Sequence, residues 1–286
     1  MSRHAETVRS RCGGIPARLA WPDALRRPPL MTTRIALTRA ISPRLAECEL
    51  THLDRTPISV PRAEAQHEAY EAALRALDCE VRRVEPAPEH ADSVFIEDTA
   101  VVFDEIAVIT RPGAESRRAE TDAVARALAA LRPLARIVAP GTLDGGDVLV
   151  VGRRVFVGRT GRTNDEGIGQ LRSALAPHGY TVTAVDVTGC LHLKTAVTAI
   201  DDGTVLVNPA WVDAAAFAPA AVITVDPAEP MGANVLRIGA RLLYGADYPR
   251  TLARLRAHGA DVTTVDASEL AKAEGAVTCC SLVLRA

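Results

Sequence analysis

One pattern recurs along most of the chain and limits what it can fold into. From residue 99 onward, short β-branched runs come in pairs separated by two or three turn residues, the mark of β-hairpins. The pairs are 99–103 with 106–110, 147–151 with 155–159, 193–200 with 204–208, and 233–238 with 241–244. Helical patterns follow three of them, at 116–131, 164–177 and 249–258. Each ends near Gly or Pro, as helix stops do. A third strand closes each unit, at 135–139, 180–187, 221–225 and 261–265. Successive hairpins begin 48, 46 and 40 residues apart, a period that belongs to repeat architectures. The two ends supply one more unit. A lone strand at 276–284 complements a strand at 34–39, a helix at 62–77 and a strand at 79–84. Joined in space, these close a ring without an open edge strand. The expectation is an α/β fold, a five-bladed ββαβ propeller forming one closed domain over 31–286. An ordinary α/β sandwich with hairpins is the competing architecture.

The 286 residues would otherwise suggest about two domains. Residues 1–30 stand apart from the repeat. They carry six Arg against two acids and hold Gly13-Gly14 and Pro28-Pro29. With no apolar core of 7–15 residues, this segment is not a secretory signal. It reads as a disordered leader or as a start assigned upstream of Met31, with a transit peptide as the alternative. Without it, the net charge of the chain moves from −2 to −6. An acidic body suits a small cationic ligand and not a nucleic-acid backbone. Aromatics are only 3%, too few for a base-stacking platform or an aromatic cage. No apolar run approaches the 18 or so residues a membrane helix needs. The six cysteines include no CxxC spacing, so neither a disulfide framework nor a structural zinc site is indicated. A cytoplasmic protein without metal or cofactor is expected, as monomer or homodimer.

Chemistry-bearing residues fall at one place in the unit, just before its first strand. They are Glu97 and Asp98 in the first unit, Asp144 in the second, His192 in the third, and Cys279 near the final strand. Pseudo-symmetry would bring them to one axis. A Cys–His pair with carboxylates fits nucleophilic catalysis, in which a thiolate attacks an electrophilic carbon and the imidazole moves protons. A cluster of acids around it fits a cationic substrate, and a planar guanidinium matches forked carboxylate contacts. Such acids should also keep the thiol protonated until a cation binds.

The motifs that carry these residues are Phe-Ile-Glu-Asp-Thr-Ala (95–100), Ile-Thr-Arg-Pro-Gly-Ala (109–114) with Ser-Arg-Arg (116–118), and Leu-Asp-Gly-Gly-Asp-Val (143–148). Val-Gly-Arg-Thr-Gly-Arg-Thr-Asn (157–164), Leu-His-Leu-Lys (191–194) and Thr-Cys-Cys-Ser (278–281) follow. From about residue 33 to the end, this order and spacing resemble the dimethylarginine dimethylaminohydrolases of the guanidine-modifying, or pentein, superfamily. The resemblance implies a five-bladed propeller that hydrolyses Nω-methylated arginines to citrulline and methylamine or dimethylamine. It implies Cys279 as the nucleophile that forms a thiouronium, His192 as general acid and base, and Asp144 as the group that holds His192. Glu97, Asp98 and Glu274 would hold the guanidinium. Arg117 and Arg162 would bind the α-carboxylate, and Asp92 the α-amino group. Residues 43–54, with Leu50, look like a lid.

Two departures bear on the substrate. Glu274 stands five residues before the nucleophile, where that family leads one to expect Asp. Leu191-His192-Leu193-Lys194 lacks the His-x-Asp of arginine deiminases, which favours a substituted guanidinium. The alternatives are a hydrolase or deiminase acting on arginine or another guanidine, a catalytically idle ligand-binding relative, and a metal-binding protein using Cys279, His192 and the acids. Several residues also have plain structural readings. Asp147 caps its turn, Arg118 and Arg153 lie on the surface, Asn164 or Thr163 caps a helix, and Cys280 packs in the core. Cys279 and Cys280, read as strand neighbours, would point to opposite faces.

Overall fold

The computed structural model describes Met1 and residues 34–286. The leader assigned to 1–30 lies outside the described residues apart from Met1. Thr33–Ala286 forms one compact unit. It contains five three-stranded sheets built on one plan. In the first, β1 (Arg34–Thr38) runs parallel to β2 (Cys79–Arg83). The next two are β3 (Ala100–Val102), β4 (Ala107–Ile109) and β5 (Leu134–Arg136), then β6 (Val148–Val151), β7 (Arg154–Arg159) and β8 (Thr181–Asp186). The last two are β9 (Val197–Ala199), β10 (Thr204–Val207) and β11 (Ala221–Thr224), then β12 (Val235–Ile238), β13 (Arg241–Gly245) and β14 (Asp261–Val265). β15 (Leu282–Arg285) joins β1 antiparallel, with Arg34 opposite Arg285. In every blade the first strand pairs antiparallel with the second, and the second pairs parallel with the third. The ring therefore closes through the two ends of the described chain, as the repeat predicts.

Local chemistry sets the elements. Tight hairpins turn at Gly152 and Gly239, both with positive φ, a conformation glycine adopts without a Cβ clash. Helix α1 (Val60–Ala76) has Pro in its first turn, where a missing N–H costs nothing. α2 (Thr121–Ala129) and α3 (Asp165–Leu175) bridge second and third strands in their blades. Asn164 caps α3, its side chain accepting from the Gly167 N–H at 2.9 Å. In the fourth blade a short 3-10 turn at Ala214–Phe217 takes the helix's place. α5 (Pro249–Ala257) serves the blade that follows. The apolar core lies between blades, where for example Leu37, Ile96, Ile109, Leu128 and Leu282 pack together. No helix of the described residues is long and apolar enough to cross a membrane.

A cavity of about 430 Å³ is lined by residues of β3, β6, β9, β12 and β15. The first strands thus surround the ring's centre. A helical or tight turn precedes each of them: 96–99, 145–147, 193–196, 230–233 and 277–280. Two expected strands are shorter for this reason. Residues 193–196 form the helical turn α4 (Leu193–Ala196) instead of opening a strand, because Asp147 Oδ1 captures the Leu193 N–H at 2.9 Å. Residues 277–280 likewise turn before β15, with the Cys279 N–H donating to the Ala276 carbonyl at 3.1 Å. Cys279 and Cys280 are therefore turn residues, and the alternating strand faces expected for them do not apply.

Candidate active site

The five turns carry the candidate residues to one end of the ring. Asp144 is fully buried. Its Oδ1 accepts the Gly113 N–H at 2.8 Å, and its Oδ2 lies 3.0 Å from His192 Nε2. The other ring nitrogen, Nδ1, faces Asp98 Oδ1 at 3.9 Å. Asp98, Asp144 and His192 thus form one buried cluster. Burial disfavours the imidazolium, but Asp98, the Asp144 hydrogen bond and Asp147 outweigh it and hold the His192 pKa up at about 9. Burial also resists charge on Asp98, yet His192 and Arg117 keep its pKa down at about 2.

The paired glycines of the second turn are required by space. A Cβ on Gly146 would come within 2.6 Å of His192 Nδ1 and 2.8 Å of Asp98 Oδ1. Asp147, read as a turn cap, instead works as a scaffold. It is fully buried and accepts from Thr160 Oγ1, Thr163 Oγ1 and the Leu193 N–H.

Cys279 is half-buried, and its Sγ accepts the Ala276 N–H at 3.4 Å. Burial, then Glu97 and Asp98, push its thiol up to about 12, the direction the acid-rich pocket predicts. A cavity of about 380 Å³ opens beside it, lined among others by Leu53, Asp54, Thr195, Asn234 and Glu274. Helix α1 braces this segment, since Tyr70 Oη bonds the Val277 carbonyl and Ser281 Oγ on either side of Cys279.

Three of the residues assigned to substrate have charged or backbone partners within the protein. Glu97 Oε1 pairs with Lys194 Nζ, and its Oε2 accepts from Thr278 Oγ1 at 2.7 Å. Lys194 stands where a deiminase would carry Asp, and it occupies this acid. Arg117 is buried among Glu120, Asp98 and the carbonyls of Asp92 and Phe95, so it acts here as the clamp on Asp98. Glu274 sits at a left-handed φ of 58°, a strained choice for a non-glycine residue. There its carboxylate accepts three successive backbone N–H groups, from Thr51, His52 and Leu53.

The other candidates gather around the same loop. Arg162 Nη2 donates to Thr51 Oγ1 at 3.2 Å, while Nη1 lies 3.9 Å from Asp144. Asp92 accepts the Glu49 N–H at 3.1 Å, and burial lifts its pKa to about 6. Leu50 packs on the core cluster that includes Cys280 and borders Cys279. The loop at 43–54 is thus fastened by Asp92, Arg162 and Glu274, the last of which lines the cavity. Glu274→Ala should release it. Tryptic cleavage after the exposed Arg55 is expected to rise about tenfold, in line with the loss of charge-assisted hydrogen bonds at a solvated site. Wild-type resistance to trypsin would contradict this.

Sequence reasoning passed over Lys194, Glu120, Thr278 and Asn234. The first three are partners that complete buried charges or a turn, and only spatial neighbours reveal them. Asn234 was within reach of the repeat itself, being the residue before β12.

Comparison with known proteins agrees with this geometry. The arginine deiminase family model matches residues 93–237. An N(G),N(G)-dimethylarginine dimethylaminohydrolase of Streptomyces coelicolor is 47% identical over 257 residues, covering 89% of this chain and 98% of that protein. The chain belongs to the dimethylarginine dimethylaminohydrolase family. The Pseudomonas aeruginosa member is 36% identical over 77% of this chain and 88% of its own. A structure of that protein in complex with citrulline superposes with a TM-score of 0.83 at 32% identity, covering 88% of this chain and 100% of that one. The N-terminal domain of a cyanobacterial arginine dihydrolase, at 18% identity and a TM-score of 0.76, shares the fold. The family's five-bladed pentein architecture is the one described above.

Proposed function

We propose that this protein hydrolyses Nω-methylated arginine, as asymmetric dimethylarginine or monomethylarginine, to citrulline and dimethylamine or methylamine. The observation that carries this reading is the convergence of an imidazole, its two acids and a raised-pKa thiol on one end of the ring. In the free protein the protons stand on both the sulfur and the ring. A guanidinium held near Asp98 brings positive charge to Cys279 and favours the thiolate. The thiolate attacks the guanidinium carbon. Nε2 is engaged with Asp144, so Nδ1 gives the proton to the departing amine and leaves a thiouronium. Neutral His192 then takes a proton from water, which adds to the same carbon. Collapse expels the thiolate and frees citrulline. Arg162 and Asp92 serve the amino-acid end of the substrate beneath the loop at 43–54.

Action on a small cation in the cytoplasm, without metal or cofactor, belongs to the same reading. Five free cysteines among the described residues suit a reducing compartment. A citrulline assay across arginine and its mono-, symmetric and asymmetric dimethyl derivatives tests the substrate class. Citrulline from arginine alone would sink the reading in favour of a deiminase. A second test concerns the thiol. Alkylation of Cys279 in the free enzyme should keep accelerating far into the alkaline range, towards a pKa of about 12. A bound, unreactive guanidinium should move that profile to lower pH. An unmoved profile would contradict ligand-induced ionisation.

A further inference from the structure

Four of the five turns at the catalytic end contribute a group already discussed. The blade of β12–β14 has contributed none. Its inner strand, β12, is preceded immediately by Asn234, which is 5% exposed and borders the cavity beside Cys279. We propose that Asn234 is that blade's contribution to the site, a positioning residue that fixes Cys279 relative to His192. This rests on the reading of Cys279 as nucleophile and His192 as its acid.

The carboxamide's orientation is forced by its partners. The Thr278 N–H can only donate, and it meets Asn234 Oδ1 at 3.1 Å. The Lys194 carbonyl can only accept, and it meets Nδ2 at 3.0 Å. The second Nδ2 hydrogen goes to Thr278 Oγ1, also at 3.0 Å. Both donors are therefore used, and none remains for a substrate. The contacts instead join two segments. Thr278 is the neighbour of Cys279, and Lys194 lies two residues from His192.

The link extends into the acids. Because Thr278 Oγ1 accepts from Asn234, its own hydrogen is directed to Glu97 Oε2. The other oxygen of Glu97 holds Lys194 Nζ. Asn234, Thr278, Glu97 and Lys194 thus form a closed circuit of hydrogen bonds across four blades, with Cys279 beside one corner. Removing the carboxamide leaves the Thr278 N–H and the Lys194 carbonyl without partners. The turn at 277–280 is then free to shift. A displacement near 1 Å costs about 10²-fold in rate.

The test compares Asn234→Asp, which keeps size but loses two donors, with Asn234→Ser and Thr278→Val. Steady-state kinetics with asymmetric dimethylarginine, alkylation of Cys279 by iodoacetamide followed by peptide mass, and thermal melting are read on each. The expected result is a kcat lower by about 10²-fold with KM within about threefold, and an altered alkylation rate in protein that melts cooperatively. The Asn234→Ser/Thr278→Val double variant should be little worse than the poorer single, as for residues acting in one circuit. Unchanged kcat in folded Asn234→Asp overturns the proposal. So does a raised KM with kcat intact, which marks a substrate ligand, or full additivity in the double variant. Cys279→Ser separates the two layers. If that variant still turns over, the nucleophile reading fails. If it is inactive while the Asn234 variants turn over normally, only the role of Asn234 fails.

Discussion

Cys279→Ser is expected to stop citrulline formation, with a loss of at least about 10⁴-fold, while the protein still binds methylated arginine. Losing the nucleophile in a covalent mechanism removes the path itself, and what survives comes from the rest of the site. The alcohol differs from the thiol by one atom, so the turn at 277–280 should keep its shape. The Sγ contact is a single weak bond from the Ala276 N–H at 3.4 Å. Binding is measured by calorimetry with asymmetric dimethylarginine and turnover by citrulline release. Near-normal turnover would remove Cys279 from the mechanism. Absence of binding together with absence of turnover would point to a damaged pocket instead of a missing nucleophile.

Asp144→Asn should lower kcat by about 10⁴-fold, the loss found when the acid that orients a catalytic imidazole becomes an amide. The variant keeps the side chain's shape in a fully buried position but withdraws its negative charge from His192. The direction of the pH effect follows. The imidazolium is favoured by Asp98, by the Asp144 hydrogen bond and by Asp147 against the pull of burial. Removing one of these acids lowers the pKa from about 9 toward or below its ordinary value. The limb of the rate profile that titrates His192 should therefore move to lower pH. Direct titration of the ring by NMR checks this. A pKa that stays near 9 in the variant would show that Asp98 and Asp147 alone set the charge.

Much of the ring was legible because its signals are local. Hairpin glycines, β-branched runs and helix stops all lie within a few residues of what they determine, and the repeat multiplied them five times. The failures were non-local. Residues 193–200 alternate like a strand, but the Leu193 N–H is taken by Asp147, 46 positions earlier. Residues 276–284 have the composition of a strand, yet the Glu97 N–H of the neighbouring blade donates to the Cys279 carbonyl at 3.1 Å. The site followed the same division. Position in the repeat pointed to Asp98, Asp144, His192 and Cys279 as neighbours. It could not tell that Glu97 would meet Lys194, that Arg117 would be enclosed by Glu120 and Asp98, or that Glu274 would cradle the loop at 51–53. Charge is written in the sequence, whereas the partner that neutralises it is a matter of folding.

The pairing of β15 with β1 has a consequence for how activity arises. Arg34 and Arg285 meet across roughly 250 residues of chain, among the longest contacts such a fold can require, and contacts of that span form slowly. Cys279 lies three positions before the strand that makes this closure, while its acids and imidazole lie on blades that can assemble earlier. A partly folded ring can thus hold Asp98, Asp144 and His192 together and still lack Cys279. Catalysis should switch on at the last structural event and not grow in with the blades. During refolding, citrulline production should therefore lag the recovery of secondary structure and report closure of the ring.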